Sequence, residues 1–129
     1  MMPPRATTVE ALLSSYSPRV QRLAEAARRR VVVVVPGAVE KLRAGWGLIG
    51  YNAPAYFAFI WPMPDHVRIG FEWGVRLSDP GSLLQGDGAQ VRYVVIKAAK
   101  DLRSPGLALL LQEAAALRPP PRAGGRGRR

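Results

Sequence analysis

Apolar positions along the chain change period twice, from 3.6 to 2 and back, and these changes separate a helical start, a run of strands and a final helix. Val9, Leu12 and Leu13 follow a Thr-x-x-Glu box from Thr7 to Glu10, which predicts a short helix from Thr8 to Ser15. Ser17-Pro18 supplies a cap and a first-turn proline for a second helix. Behind it Val20, Leu23, Ala24, Ala27, Val31, Val34 and Val35 form one helical stripe, with Arg22, Glu25 and Arg29 off it. The valines from Val31 to Val35 also read locally as a buried strand. Continuity of the stripe favours a helix from Pro18 to Val35, ended by Pro36-Gly37, with room for a short helical turn from Ala38 to Arg43.

From Gly45 the period is that of strands. Gly47 to Tyr51, Ala55 to Trp61 and His66 to Trp73 are aromatic or β-branched runs separated by Asn52-Ala53-Pro54 and Pro62-Met63-Pro64-Asp65. In the third, Val67, Ile69 and Phe71 alternate with His66, Arg68 and Gly70, the pattern of a sheet with one buried face. Turns at Ser78-Asp79-Pro80-Gly81 and Gly86-Asp87-Gly88 bracket Leu83-Leu84, and Val91 to Lys97 returns as a strand. Ser104-Pro105 then opens a helix striped by Leu107, Leu110, Leu111, Ala114 and Ala115. The expectation is an α+β domain over residues 1–117: an antiparallel sheet of four to five strands with the N-terminal helices and the C-terminal helix packed on one face. Residues 1–6 and a tail over 118–129, rich in Arg, Gly and Pro, are expected to be disordered.

Composition narrows the chemistry. The 129 residues include no cysteine, which excludes disulfides, thiolate metal sites and cysteine nucleophiles. No unbroken apolar run, Val31 to Val35 included, approaches the ~20 residues of a membrane span, so a soluble, cytoplasmic protein with no membrane partner is expected. The net charge of +10 suggests an anionic partner, yet Arg118, Arg122, Arg126, Arg128 and Arg129 supply half of it.

Several residues of the central stretch resemble the YdhG-like family, a widespread bacterial domain of unknown function. They are Gly45-Trp46, Tyr51, Phe57, Ile60-Trp61-Pro62, Val67-Arg68-Ile69-Gly70-Phe71, Gly74, Leu77-Ser78-Asp79-Pro80, Leu84-Gln85-Gly86-Asp87-Gly88 and Val91-Arg92-Tyr93-Val94. The resemblance runs from about Pro36 to about Leu117 and implies a small helix-flanked antiparallel sheet. One branch of the family is regarded as frataxin-like, handling iron through acidic surface residues. This chain departs from that pattern: Glu10, Glu25 and Glu40 are outnumbered in the helical region by arginine and lysine, and a cationic surface opposes hard cations.

Candidate sites follow from the pattern. His66 is the lone histidine, and opposite side-chain directions on a strand leave its neighbour Asp65 poorly placed to orient it. Arg68 and Arg92 are expected on one sheet face, where they would hold a carboxylate or phosphate or tether Asp79 or Asp87; the tether is preferred. The glycine–aspartate loop lacks P-loop and EF-hand spacing and reads as turn chemistry. Arg28, Arg29 and Arg30 with the basic tail are the candidates for polyanion or nucleic-acid contact. The aromatic residues from Trp46 to Trp73 are core or, interleaved with arginine, a base-stacking surface, and the doubly apolar Ala55 to Trp61 also allows a homodimer contact. No catalytic constellation, metal site or cofactor is expected. The reading is a non-catalytic binding or interaction module, with nucleic-acid association through Arg28–Arg30 and the tail as the alternative.

Overall fold

The computed structural model describes residues 6–118. The tail from Pro119 on and residues 1–5, including most of what is expected to be disordered, lie outside them. Helix α1, Val9–Leu13, begins one residue later than the box suggests: Thr8, not Thr7, is the cap, its hydroxyl accepting from the Ala11 amide at 3.0 Å. Helix α2, Pro18–Val34, starts as expected, with Ser17 Oγ accepting from the Val20 amide. The valines are therefore helical, and Val20, Leu23, Ala24, Ala27 and Val31 of the stripe are buried.

After Pro36-Gly37 the structure corrects the expected helical turn: Val39–Arg43 is strand β1. It pairs antiparallel with β2, Leu48–Asn52, which pairs with β3, Tyr56–Pro62, then β4, Val67–Phe71, and β5, Arg92–Ile96. The result is a five-stranded antiparallel meander in sequence order. Helix α3, Pro105–Ala116, follows a 3₁₀ turn. Helices α2 and α3 both pack on one side of the sheet, α2 against β3 and β4 and α3 against β3. The fold is α+β, and the core fills the space between that side and the helices.

Burial alternates accordingly. Ile49 and Tyr51, Ile60, Val67, Ile69 and Phe71, and Val94 and Ile96 point into the core and are all buried. Burying these side chains stabilises the fold by roughly 1.5–3 kcal/mol for each large aliphatic or aromatic group. Among the described residues no α-helix packs on the opposite side of the sheet.

The long β4–β5 connection is pinned at several points. Asp79, with φ of 50°, accepts the Leu83 and Leu84 amides on its two carboxylate oxygens at 2.8 and 2.9 Å. This aspartate turn presents Leu83 and Leu84 to the core. Glu113 of α3 accepts from the Ser78 amide and hydroxyl, and Gln85 pairs with Tyr93 through two backbone hydrogen bonds.

Candidate functional site

The helix-free side of the sheet is built from the alternate residues of each strand. Lys41, Gly50, Phe59, Gly70 and Tyr93 stand opposite one another in register and make one row across all five strands. Trp61, Arg68 and Val95 make part of the next. Two rings lie against glycines: a Cβ on Gly70 would fall 2.2 Å from the Phe59 ring, and one on Gly50 2.6 Å from the Tyr56 ring. The absent side chains are what let these rings lie close to the backbone. Tyr56 and Phe59 stack nearly parallel, centroids 6.2 Å apart at 8°. Phe59 is buried yet outside the core, because it is covered on this face.

Guanidinium groups interleave with the rings. Arg43 Cζ lies 4.7 Å from the Tyr56 centroid. Arg68 Cζ lies 4.8 Å from Trp61 and 4.3 Å from Tyr93, whose rings meet edge to face. Among the described residues no carboxylate forms an ion pair with Lys41, Arg43 or Arg68, and Arg43 Nε is buried without a partner. Glu72, a carboxylate lining this surface, accepts a hydrogen bond from Gln90. Burial, reinforced by Glu72, pushes the Tyr56 phenol up to about 12, so it stays neutral at physiological pH.

Between these groups lies an open cleft of about 600 Å³, with Leu48, Phe59 and Trp61 in its lining and Arg43, Tyr56 and Trp46 beside them. Trp46 sits on the 3₁₀ turn Ala44–Trp46, closed by Gly47 at φ of 66°, and is 80 % exposed. An indole so exposed at the mouth of an apolar cleft is unusual in a small domain, since large aromatics normally join the core.

The sequence-predicted residues divide between this face and other places. Arg68 is on the face. Arg92 is not: it stands opposite Phe71 in register, so its parity is that of the core side, and the expectation of a shared arginine face is corrected. Its Nη1 donates to the Gly88 and Val91 carbonyls, so it tethers the loop backbone, not Asp79 or Asp87. His66 departs from expectation in the other direction. Because β4 begins only at Val67, Asp65 is a turn residue free to approach, and its Oδ1 lies 2.6 Å from His66 Nδ1. The imidazole holds the Asp65 carboxyl below the usual carboxylate range. His66 Nε2 in turn accepts from Arg68 Nε at 3.3 Å. With both nitrogens engaged, His66 positions Arg68; as a base or metal ligand it would have to give up one of these bonds.

Arg28 is drawn inward. It holds Glu40 through two bonds of 2.9 and 2.7 Å, Glu25 at 2.6 Å and Glu10 at 3.3 Å. Tyr51 donates to Glu40 at 2.6 Å. The bidentate Arg28 pair holds the Glu40 carboxyl below its ordinary range, and burial with the adjacent Glu40 raises the Tyr51 phenol. Arg28 is thus engaged by three carboxylates, which corrects its place in an anion-binding cluster. Arg29 and Arg30 remain at the surface beside Arg103 and the exposed Val33, around a separate depression of about 250 Å³.

Glu10, Glu25 and Glu40, the carboxylates of the N-terminal region, are each engaged by Arg28. Among the described residues no three His, Asp or Glu side chains gather as a metal-binding group, and no helix is long and apolar enough to cross a membrane. Lys41 and Arg43 were missed from the sequence as site residues, whereas Trp46 was among the aromatic residues read as core or a base-stacking surface. The signal was present as alternation: Val39, Lys41 and Arg43 outward, Glu40 and Leu42 inward. Comparison of the chain with protein-family models, curated proteins and solved structures found no match.

Proposed function

We propose that this protein is a non-catalytic binding module, and that its ligand lies on the helix-free face of the sheet and carries a planar ring and an anionic group. The observation that supports this most is Arg68, lying against both Trp61 and Tyr93 and positioned by His66, with its two terminal nitrogens making no hydrogen bond among the described residues. Guanidinium groups prepared in this way suit phosphate or carboxylate, and the neighbouring rings suit a flat partner. The cleft falls within the ~300–1,000 Å³ range of small-ligand sites. A YdhG-like affiliation, carried by Leu77 to Tyr93, fits the same picture but brings no activity with it. The chemistry favours binding over catalysis, since the one carboxylate–imidazole pair is committed to holding Arg68.

Titration with adenosine monophosphate, followed by tryptophan fluorescence, tests the reading. Saturable quenching that disappears in Trp46→Ala is the expected result. Quenching that is linear in nucleotide, or unchanged in Trp46→Ala, contradicts it.

A further inference from the structure

We infer that the ligand of the helix-free sheet face is single-stranded nucleic acid, with bases stacked on its rings and phosphates held by Lys41, Arg43 and Arg68; this rests on the reading of that face as the binding surface. The face offers more stacking positions than one small molecule uses. Tyr56, stacked on the buried Phe59, and Trp61 lie on β3, Tyr93 on β5, and the exposed Trp46 on the turn before β2. Cations lie among them: Lys41 shares a row with Phe59 and Tyr93, Arg43 covers Tyr56, and Arg68 covers Trp61.

Charge complementarity selects the occupant. Lys41, Arg43 and Arg68 have no ion-pair partner among the described residues and outnumber the carboxylates near them, Glu72 and the His66-bound Asp65, which leaves an excess that a polyphosphate backbone neutralises. Alternating rings and cations on a sheet are how single strands are held, because every base has a π-face to stack and every nucleotide a phosphate. A duplex hides its base faces and is read by elements that protrude into a groove, and this face is a recessed cleft. An acidic peptide would satisfy the cations and leave the indole of Trp46 without a stacking partner. Apolar lining by Leu48, Phe59, Trp61 and Val91 offers few edge contacts, so the face binds with little base preference.

Fluorescence anisotropy of labelled oligouridylate and oligothymidylate of about ten nucleotides, with the full chain at salt between about 50 and 200 mM, is the test. Binding is expected to exceed that of a duplex of equal length and of an acidic peptide used as competitor. Trp46→Ala should weaken it roughly tenfold or more without changing its salt dependence, since stacking is not ionic. Lys41→Gln should lower the slope of log affinity against log salt by about 0.7. Both side chains are exposed, so unchanged circular dichroism and thermal midpoint show that fold is kept. Oligonucleotide affinity unaffected by Trp46→Ala would overturn the inference and assign binding to the basic tail or to the Arg29, Arg30 and Arg103 surface. Preference for the acidic peptide overturns it in favour of a protein partner. If no oligonucleotide binds while adenosine monophosphate still quenches Trp46, the single-strand inference falls and the sheet-face reading stands; if neither binds, both fall.

Discussion

Placing a methyl group under Phe59 tests the geometry of the sheet face by itself. In Gly70→Ala the new Cβ would lie 2.2 Å from two ring carbons of Phe59 and 2.9 Å from a third. To regain ordinary van der Waals distance the ring must rise by about 1.2 Å. Any such displacement also disturbs its stacking on Tyr56. Overpacking of this kind costs about 1–3 kcal/mol, which for a domain of this size lowers Tm by roughly 4–12 °C. Gly37→Ala is the matched control, because nothing lies within 4 Å of the added carbon there; its Tm should stay within about 2 °C of the parent. Thermal unfolding followed by circular dichroism measures both. A double-mutant cycle assigns the cause: in a Phe59→Ala background Gly70→Ala should lose most of its penalty. An equal penalty with and without the ring would refute the contact, as would an unperturbed Tm in the single variant.

Three further outcomes concern the scaffold. Glu40→Gln breaks the bidentate pair with Arg28 and weakens the acceptor of Tyr51, and urea denaturation should show a loss of about 1–3 kcal/mol; a loss below about 0.5 would mean the pair is solvated. Stability should depend on pH at both ends. Glu40 is held below its ordinary 4.5, so its contribution is complete above that value and is lost as pH falls through the lower folded value. Tyr51 is held above its ordinary 10.0, so its contribution is complete below that value and is lost as pH rises beyond it. Urea midpoints measured across pH should therefore fall at both extremes, with the acid decline reduced in Glu40→Gln. Asp79→Ala removes the acceptor of two loop amides and should cost about 1–2 kcal/mol, with faster hydrogen exchange at Leu83 and Leu84; unchanged exchange there would show that the loop is held by other contacts.

The helices and four of the five strands were legible because burial period follows directly from local backbone geometry. Strand β1 was not. Glu, Lys, Leu and Arg are good helix formers, and only pairing with Leu48–Asn52 makes Val39–Arg43 extended. That one element decides the fate of Arg28, because β1 is what brings Glu40 beneath α2. Within each strand the alternation of Arg68 and Arg92 was readable, but register across strands was not, and it places Arg92 opposite Phe71. Asp65 and His66 turned on a single residue. With β4 starting at Val67, the rule that neighbours point apart no longer governs them. The glycines at 50 and 70 were visible as strand glycines, and their meaning came only from the rings that lie on them.

The most direct test of the sheet-face account is an amide and indole NMR titration of the labelled full chain with oligouridylate. The account predicts shifts at Lys41, Arg43, the Trp46 and Trp61 indoles, Arg68 and Tyr93, with α2 and α3 unmoved. Shifts confined to Arg29, Arg30, Arg103 or the residues beyond Arg118, with the Trp46 indole unchanged, would contradict it.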